Sequence, residues 1–323
     1  MPPPAIHAAA LGKRYRRSAA PALDGFDLTV APGTVHGLLG PNGAGKTTAV
    51  RILCTLLRPD AGHATIDGID VAAAPAAVRG RIGLVGQYPA VDEVLDGRRN
   101  LVLFGRLRRL SRAAARRRAD ELLERFDLSD AAARPVAGYS GGMRRRLDIA
   151  VAMIGSPAVL FLDEPTTGLD PRGRAEVWAA VRALVAAGTT VLLTTQYLDE
   201  ADQLAARISV LAAPRAGGGR VVAEGTPDEL RARIGGDRLE VVVRHPDDLQ
   251  AATEVVSRVA GQPAEVDADT RRVAAPVSDR LAALAGALAG LTDAGVDPED
   301  LSVRRPTLDE VFLQLTDRKQ VPA

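Results

Sequence analysis

The sequence predicts an α/β protein, and three observations support this prediction. Short apolar runs alternate with helix-like segments over roughly the first 230 residues. One apolar run, residues 35–39, leads through a glycine-rich loop into a helix-like segment. Another, residues 158–162, is continuously apolar and is followed by two carboxylates, which is typical of a central strand that is buried on both faces.

Length and composition indicate a globular protein of about two domains. Of the 323 residues, 46% are hydrophobic and 25% are charged, and 41 basic against 40 acidic side chains leave a net charge of +1. A balance this even supplies no overall field that would attract nucleic acid. Cys54 is the single cysteine, so no disulfide forms within the chain.

No apolar run approaches the length of about 20 residues that a membrane span needs. The nearest candidate, residues 179–195, is interrupted by Arg182 and by a turn at Gly188. The first residues, Met1-Pro2-Pro3-Pro4, lack the features of a signal peptide. We therefore expect a cytosolic protein, unless a partner holds it at a membrane.

Ahead of the glycine-rich loop, residues 6–15 are predicted as a strand that runs into a loop, and residues 23–30 as a second strand. Tyr15, at the end of the first, has two interpretations. Its ring could stack on a purine base, or it could pack as a half-buried tyrosine at a strand end. Its position before the loop does not separate the two.

The glycine-rich loop has the pattern Gly-x-x-x-x-Gly-Lys-Thr. Its glycines lack a Cβ atom, so the backbone can bend and direct successive amides into one concavity that suits a polyphosphate. Lys46 is expected to reach the β- and γ-phosphates, and the Thr47 hydroxyl to bind Mg²⁺. The chain is therefore predicted to bind a nucleoside triphosphate through Gly40, Pro41, Asn42, Gly43, Ala44, Gly45, Lys46, Thr47 and Thr48.

The next segments are predicted as a short strand at residues 65–71 with turn residues at Asp67-Gly68, and a second strand at 82–85 that leads to Gln87. Arginine-rich helices are predicted between residues 100 and 128. The arginines have two interpretations, a nucleic-acid patch or a solvated helix face. Acidic residues follow them directly and no aromatic residues interleave with them, which favours the solvated face.

Ser140 is a suitable N-cap for a helix through residue 154, and Gly141 and Gly142 leave the first amides of that helix bare, as an anion site requires.

The apolar strand after this helix ends at Asp163 and Glu164. At the carboxyl end of such a strand Asp163 can hold Mg²⁺ and Glu164 can polarise an attacking water. The alternative is that these two are ordinary solvated carboxylates at a strand end. A further strand, residues 191–195, leads to Gln196.

The last third of the chain is predicted to be a separate small domain. A hairpin around a loop at residues 214–219 and a helix that begins after Thr226 precede Gly235-Gly236, which marks the boundary, so the predicted domains are 1–234 and 235–323. Strands and helices then follow in the order βαββαβ with a terminal helix at residues 308–315, which predicts an α+β ferredoxin-like module. His245 stands alone, and no catalytic cluster is evident in this part.

Taken together, these motifs resemble the ATP-binding subunit of an ABC transporter, over roughly residues 5–230. Tyr15 takes the place of the aromatic that stacks on adenine, residues 40–48 match Walker A, and Gln87 matches the Q-loop. Ser140-Gly141-Gly142 matches the heart of the signature motif, and residues 159–164 match Walker B with its catalytic glutamate. Asp170 matches the D-loop aspartate. The resemblance implies a P-loop NTPase fold of ABC type with an inserted helical subdomain at about residues 90–157.

Two positions depart from the family pattern. The signature usually begins with Leu and carries Gln after the glycines, where this chain has Tyr139 and Met143. The position after the last core strand is usually His, where this chain has Gln196. An amide can donate a hydrogen bond to a γ-phosphate but cannot carry a proton as imidazole does, so a sensor role is expected here without protonation. The combination of residues 139–143 with residues 194–202 resembles the subgroup of daunorubicin-resistance-type exporters.

The resemblance also implies cofactors and partners. ATP and Mg²⁺ would bind one chain, with Thr47, Gln87 and Asp163 at the metal and with Glu164, Gln87 and Gln196 serving hydrolysis. Ser140, Gly141 and Gly142 of a second ATP-binding subunit, in a homodimer, would cap the γ-phosphate. A separate transmembrane permease subunit would grip residues 88–101 and hold the protein at the cytoplasmic side of the membrane.

Several family alternatives remain open. An importer ATPase for sugars would carry a β-barrel regulatory domain, an ABC protein of translation would have two cassettes, and a DNA-maintenance ATPase would insert long coiled coils. The sequence shows none of these features. An exporter of drugs or antibiotics, without direct nucleic-acid binding, is therefore favoured. The last domain is expected to serve dimerisation or regulation, and its alternative is a passive stabilising appendage.

Overall fold

The computed structural model describes residues 3–16, 20–212, 218–232, 237–310 and 312. The chain divides into two compact units, Met1–Pro227 and Asp228–Ala323. The boundary predicted between residues 234 and 235 lies outside the described residues, so the division at that point stays a prediction.

The first unit contains strands and helices in alternation. In chain order they are β1 (Ile6–Lys13), β2 (Leu23–Val30), β3 (Val35–Leu39), α1 (Lys46–Leu53), β4 (Ala61–Ile66), β5 (Ile69–Asp70), α2 (Pro75–Arg81), β6 (Ile82–Val85), α3 (Gly97–Leu107), α4 (Arg112–Arg125), α5 (Gly141–Ala152), β7 (Val159–Asp163), α6 (Pro171–Ala186), β8 (Thr190–Thr195), α7 (Leu198–Leu204), β9 (Arg207–Leu211) and β10 (Val221–Gly225). Helix α8 (Pro227–Ala232) begins at the last residue of this unit.

Two sheets organise this unit. A six-stranded sheet has the order β10-β9-β3-β8-β7-β6, and its strands from β9 to β6 run parallel. Every residue of β3, β7 and β8 is buried, as expected for central strands of a parallel sheet. The segments that follow β3, β6, β7 and β8 therefore meet at one edge, where the carboxyl ends of the strands lie.

A four-stranded antiparallel sheet, in the order β2-β1-β4-β5, accompanies it. Strand β1 ends at Lys13, so Tyr15 lies in the segment that follows the strand. The single strand predicted at residues 65–71 is wrong. Asp67 and Gly68 both have positive φ, 51° and 75°, and this two-residue turn folds the segment into the hairpin of β4 and β5.

Three helices, α3 to α5, are inserted between β6 and β7, as predicted. Helix α5 ends at Ala152 and not at residue 154, because a short 3-10 turn, Met153–Gly155, follows it. The arginines of this insertion carry ion pairs, such as Arg98 with Asp120 at 2.7 Å. Such pairs favour the solvated helix face over a nucleic-acid patch.

The second unit contains, in chain order, β11 (Asp237–Val243), α9 (Leu249–Ala260), β12 (Glu265–Asp267), β13 (Arg272–Val277), α10 (Arg280–Asp293) and β14 (Pro298–Arg304). The order is βαββαβ, and the antiparallel sheet has the strand order β12-β13-β11-β14. Apolar residues of β11, β13, α9 and α10 form its core. The terminal helix predicted at residues 308–315 falls largely outside the described residues.

Across the described part of the chain, no helix is both long and apolar enough to cross a membrane.

Candidate nucleotide site

A cavity of about 330 Å³ opens at the carboxyl edge of the parallel sheet. It brings together residues from five separate places in the sequence. Its lining residues are Tyr15, Ala22, Pro41, Asn42, Gly43, Gly45, Lys46, Thr47, Thr48, Gln87 and Glu164. The predicted phosphate loop, Gln87 and Glu164 therefore share one site.

The glycines of the loop are required by its shape. Gly45 has φ +100°, and a Cβ atom there would lie 2.6 Å from the carbonyl oxygen of Ala22. Gly43 has φ +82°, a conformation that side-chain-bearing residues rarely adopt. Helix α1 begins at Lys46, directly after this bend, so its unpaired first amides face the site together with the positive end of the helix dipole.

Lys46 is 4% exposed and lies against its own loop. Its ammonium donates to the carbonyl oxygens of Gly40 at 2.7 Å and Pro41 at 3.2 Å, and lies 3.5 Å from Glu164 Oε1. Burial lowers the pKa of Lys46, while the carboxylates of Glu164 and Asp163 oppose that shift. The site thus holds a buried cation that can pair with a polyanionic ligand, and a carboxylate beside it that partly offsets this charge.

Asp163 is the last residue of β7 and is 4% exposed. Its Oδ1 accepts a hydrogen bond from the Thr194 hydroxyl at 2.5 Å, and the Thr47 hydroxyl lies 3.4 Å from the same oxygen. Thr47 and Gln87 line the cavity and Asp163, which does not line it, lies beside Thr47. Their hydroxyl, amide and carboxylate oxygens are of the hard type that Mg²⁺ prefers. Among the described residues no cluster of three or more His, Cys, Asp or Glu could hold a metal. A magnesium site that relies on substrate phosphates needs no such cluster.

Glu164 has a left-handed backbone, with φ +50°. Its amide donates to the carbonyl and hydroxyl oxygens of Thr194, at 3.0 and 3.2 Å, which hold this conformation. The Thr167 hydroxyl lies 3.5 Å from Oε2. A positive φ at a non-glycine residue is costly, and it here turns the chain so that the Glu164 carboxylate lines the cavity.

Tyr15 lines the cavity and is 38% exposed. Its hydroxyl lies 3.3 Å from the Thr48 hydroxyl on helix α1. Both features are compatible with stacking on a base, and the exposure also matches a half-buried tyrosine, so the two interpretations of Tyr15 remain.

Gln196 directly follows β8, which lies between β3 and β7 in the sheet. Its backbone is therefore at the same edge as the phosphate loop and Asp163. It is half-buried, and it is not among the residues that line the cavity in the described part of the chain.

The residues of the predicted signature lie elsewhere. Ser140 caps helix α5 by accepting from the Met143 amide at 3.2 Å. A Cβ atom on Gly141 would lie 2.9 Å from Leu169, and one on Gly142 would lie 3.0 Å from the Cα atom of Gly173. The two glycines thus permit α5 to approach the start of α6 closely, a packing role that the sequence analysis missed. Ser140, Gly141 and Gly142 are not among the cavity-lining residues of this chain.

Asp170 is the N-cap of α6 and accepts from the amide of Gly173 at 2.9 Å. Like the residues of α5, it is not among those that line the cavity. In the structure of a single chain its role is therefore to begin a helix.

Two buried residues that the sequence analysis did not single out contact this site. Thr194 bonds both Asp163 and the backbone of Glu164. Arg145, on α5, donates to the carbonyl oxygens of Gly86, Asp163 and Pro165. Thr194 could have been suspected from its place near the end of the strand that leads to Gln196. Arg145 could not, because it stands among three successive arginines that look alike in the sequence.

Comparisons with known proteins agree with this geometry. The family model described as ABC transporter matches residues 23–167, and the model for the C-terminal domain of DrrA1-3-like ATP-binding proteins matches residues 225–316. The chain is 60% identical over 295 residues to the daunorubicin resistance ATP-binding protein DrrA3 of Streptomyces coeruleorubidus, covering 91% of each. It is 50% identical to the daunorubicin/doxorubicin resistance ATP-binding protein DrrA of Streptomyces peucetius, covering 98% of this chain and 93% of that protein.

Among solved structures, the fold is similar to that of the ATP-binding cassette MJ0796, in a dimeric post-hydrolysis state bound to ADP and Pi. The TM-score is 0.60 at 26% sequence identity, and the match covers 68% of this chain and 98% of the other.

Proposed function

This chain belongs to the ABC transporter family of ATP-binding proteins and is an ATPase, and we propose that it powers the export of drugs or antibiotics through a separate membrane subunit. The observation that carries the proposal is similarity along almost the whole chain to proteins named for daunorubicin and doxorubicin resistance. The similarity includes the last domain, for which a family model specific to these proteins matches.

For hydrolysis we assign roles to residues at the carboxyl edge of the parallel sheet, most of which line the cavity. The amides of the loop and of the first turn of α1 bind the phosphates, and Lys46 neutralises charge on the β- and γ-phosphates. Glu164, whose carboxylate lies beside Lys46, orients and polarises the attacking water. Gln87 and Gln196 approach from the ends of β6 and β8, where an amide can bond the γ-phosphate or the water.

The metal in this proposal is Mg²⁺, which when bound would neutralise developing charge on the phosphates. Thr47 and Asp163 would hold it, because their oxygens lie 3.4 Å apart at the mouth of the loop, with Gln87 as a third ligand from the same cavity. Thr194 fixes the Asp163 carboxylate through the hydrogen bond to Oδ1.

A second copy of the chain would complete each site. Ser140, Gly141 and Gly142 do not line the cavity of their own chain, yet Ser140 begins a helix of 12 residues whose first amides can bind an anion. In a homodimer these groups would cap the γ-phosphate bound by the other chain, and Asp170 would lie near the interface. The dimeric state of the similar cassette supports this arrangement.

The membrane subunit would contact the segment at residues 88–101. Tyr88 and Val94 in this segment are 88% and 84% exposed, so both side chains are accessible to a partner. The protein would then lie at the cytoplasmic side of the membrane and bind it through the permease. We assign dimerisation or regulation to the last domain, and no direct nucleic-acid binding to either domain.

Two measurements test this function. In a strain that lacks the chromosomal copy, the unchanged chain should restore low accumulation of fluorescent daunorubicin, and Glu164→Gln at the same expression level should not. Tagged Glu164→Gln protein with ATP and Mg²⁺ should also recover a polytopic membrane protein from detergent-solubilised native membranes. Equal drug accumulation with and without the chain, or recovery of ribosomes or DNA in place of a membrane protein, would contradict the proposal.

A further inference from the structure

Helix α5 carries a buried ion pair that the roles assigned above do not use. Arg145 and Asp148 lie one turn apart, are 6% and 3% exposed, and approach to 3.4 Å between Nη1 and Oδ2. Burial lowers the pKa of Arg145 and raises that of Asp148, although each ion partly offsets the shift of the other. A buried ion pair is weak evidence for stability, because removing both charges from water costs about as much as their attraction returns. Its other contacts therefore indicate its role.

The guanidinium of Arg145 joins the ends of two neighbouring strands. It donates to the carbonyl oxygen of Gly86 at 2.7 Å, directly after β6, and to that of Asp163 at 3.2 Å, at the end of β7. Its Nε donates to Pro165 at 2.8 Å, just beyond Glu164. Because the guanidinium is planar and rigid, these three bonds set the positions of the three carbonyls relative to one another.

Asp148 contacts the far end of the same segment. Its Oδ1 accepts from the amide of Ala90 at 2.9 Å. Arg145 and Asp148 thus hold the carbonyl of Gly86 and the amide of Ala90, the two ends of residues 86–90. Within the described chain, no other hydrogen bond is made to the backbone of residues 87–90, and Gln87, which lines the cavity, lies between the two anchored ends.

We propose that Arg145 and Asp148 are positioning residues for ATP hydrolysis, which hold residues 86–90 so that Gln87 keeps a fixed position relative to Asp163 and Glu164. The inference rests on the function proposed above for those three residues. Neither member of the pair lines the cavity, so both act through the backbone that they bind. Their helix begins at Ser140, so the same pair connects the proposed signature to the ATP site of its own chain.

The test compares Arg145→Met with Arg118→Met. Arg118 is a matched control, because its guanidinium also donates to backbone carbonyls, of Met153 at 2.8 Å and Ile154 at 3.4 Å, and does not line the cavity. ATP affinity without Mg²⁺, kcat, and the Mg²⁺ concentration for half-maximal activity are measured on the full chain. Arg145→Met should lower kcat by about 10- to 100-fold and raise the Mg²⁺ requirement, with ATP affinity nearly unchanged, as expected when a catalytic group is displaced by about 1 Å.

Arg118→Met should lose stability only. If Arg145→Met behaves like this control, with kcat unchanged, or if its ATP affinity falls in proportion to kcat, the inference is wrong. Should Arg145→Met fail to fold, Asp148→Asn and Arg145→Lys decide. Asp148→Asn keeps an acceptor for the Ala90 amide but loses the charge that faces Arg145, so it should lower kcat and spare affinity. Arg145→Lys keeps the charge but not the planar guanidinium, so its kcat should fall by less than that of a variant without the charge. Unchanged kcat in both Asp148→Asn and Arg145→Lys would overturn the proposal.

Hydrogen exchange gives a readout that does not depend on activity. Asp148→Leu should accelerate exchange of the amide at Ala90, with little change in the amides of β7 and β8. Protection at Ala90 equal to that of the unchanged chain would remove Asp148 from this role. If the unchanged chain does not hydrolyse ATP, the proposed function is wrong. If the unchanged chain and every variant hydrolyse ATP at the same rate, only the positioning role of Arg145 and Asp148 is wrong.

Discussion

The ammonium of Lys46 lies 3.5 Å from the carboxylate of Glu164, and both side chains are almost fully buried. The cation that is proposed to bind phosphate thus has the proposed general base as a partner. The left-handed backbone of Glu164 and the bend of the phosphate loop place these two groups side by side. Because the two side chains are in contact, a change at either one also alters the surroundings of the other.

Glu164→Gln should keep ATP binding and lose most turnover. The amide retains the shape of the side chain but is a far weaker base, so we expect kcat to fall by about 100-fold or more. It also removes the negative charge beside Lys46, so ATP affinity should be equal or higher. Steady-state hydrolysis and equilibrium ATP binding on the same preparation check this, and unchanged hydrolysis would remove Glu164 from the role of base.

Lys46→Ala should abolish measurable nucleotide affinity. The variant loses the donor to Gly40 and Pro41 and the charge proposed to face the phosphates, and it leaves the buried Glu164 carboxylate unpaired. Because the loop itself could be disturbed, Lys46→Arg serves as the charge-preserving control. Tight ATP binding by Lys46→Ala, measured by calorimetry, would contradict the proposed role.

Gln196→His should change hydrolysis only within a few-fold. Gln196 follows β8 and is half-buried, and imidazole can supply the same kind of hydrogen-bond donor at that position. The matched variant Gln196→Ala, which has no donor, should lose about tenfold or more in kcat. A collapse of the rate in Gln196→His would show that the amide has a role that imidazole cannot fill.

The role of Tyr15 can be assigned by comparing the variants Tyr15→Phe and Tyr15→Ala. If the ring stacks on the base, Tyr15→Phe should keep ATP affinity, and Tyr15→Ala should lose about tenfold or more, as for other base–aromatic contacts. The affinity for inorganic triphosphate, which has no base, should then be the same in all three proteins. Equal ATP affinity in Tyr15→Ala would leave only the packing interpretation.

His36 should make the fold sensitive to acid. It is 2% exposed on β3, its Nε2 lies 2.8 Å from the Ser209 hydroxyl, and burial, assisted by the charge of Arg207, lowers its pKa to about 4. The folded-state pKa lies below the unfolded value of about 6.5, so the unfolded chain gains the proton first as the pH falls. Stability is therefore fully present above pH 6.5 and is lost between about 6.5 and 4, by about 2 kcal/mol at pH 5.

Urea unfolding at pH 7.5 and 5 tests the role of His36. His36→Gln, which can keep a hydrogen bond to Ser209, should lose less stability than the unchanged chain over this interval. The exposed His63 supplies the control, and His63→Gln should follow the unchanged chain. A pH dependence in His36→Gln that equals that of the unchanged chain would contradict the prediction.

Local pattern was enough to predict the parts of the site that lie within single stretches of the chain. The loop at residues 40–48 combines glycine conformation, a helix start and a lysine in nine consecutive residues. The apolar run that ends at Asp163 predicted a buried strand, and the cap at Ser140 predicted a helix start. The sequence pattern merged β4 with β5 despite the turn residues Asp67 and Gly68, because hydrophobic pattern alone defines strand ends poorly when a short turn intervenes.

What the sequence by itself determined is the fold class, the phosphate loop and the family to which these motifs belong. Only the tertiary structure decided which of three adjacent arginines holds the ends of two strands, which threonine fixes Asp163, and that Gly141 and Gly142 allow two helices to approach. The physical reason is the range of the interactions. Propensity, glycine conformation and capping act between neighbours in the sequence, whereas a tertiary hydrogen bond such as that of Arg145 to Gly86 joins residues 59 positions apart.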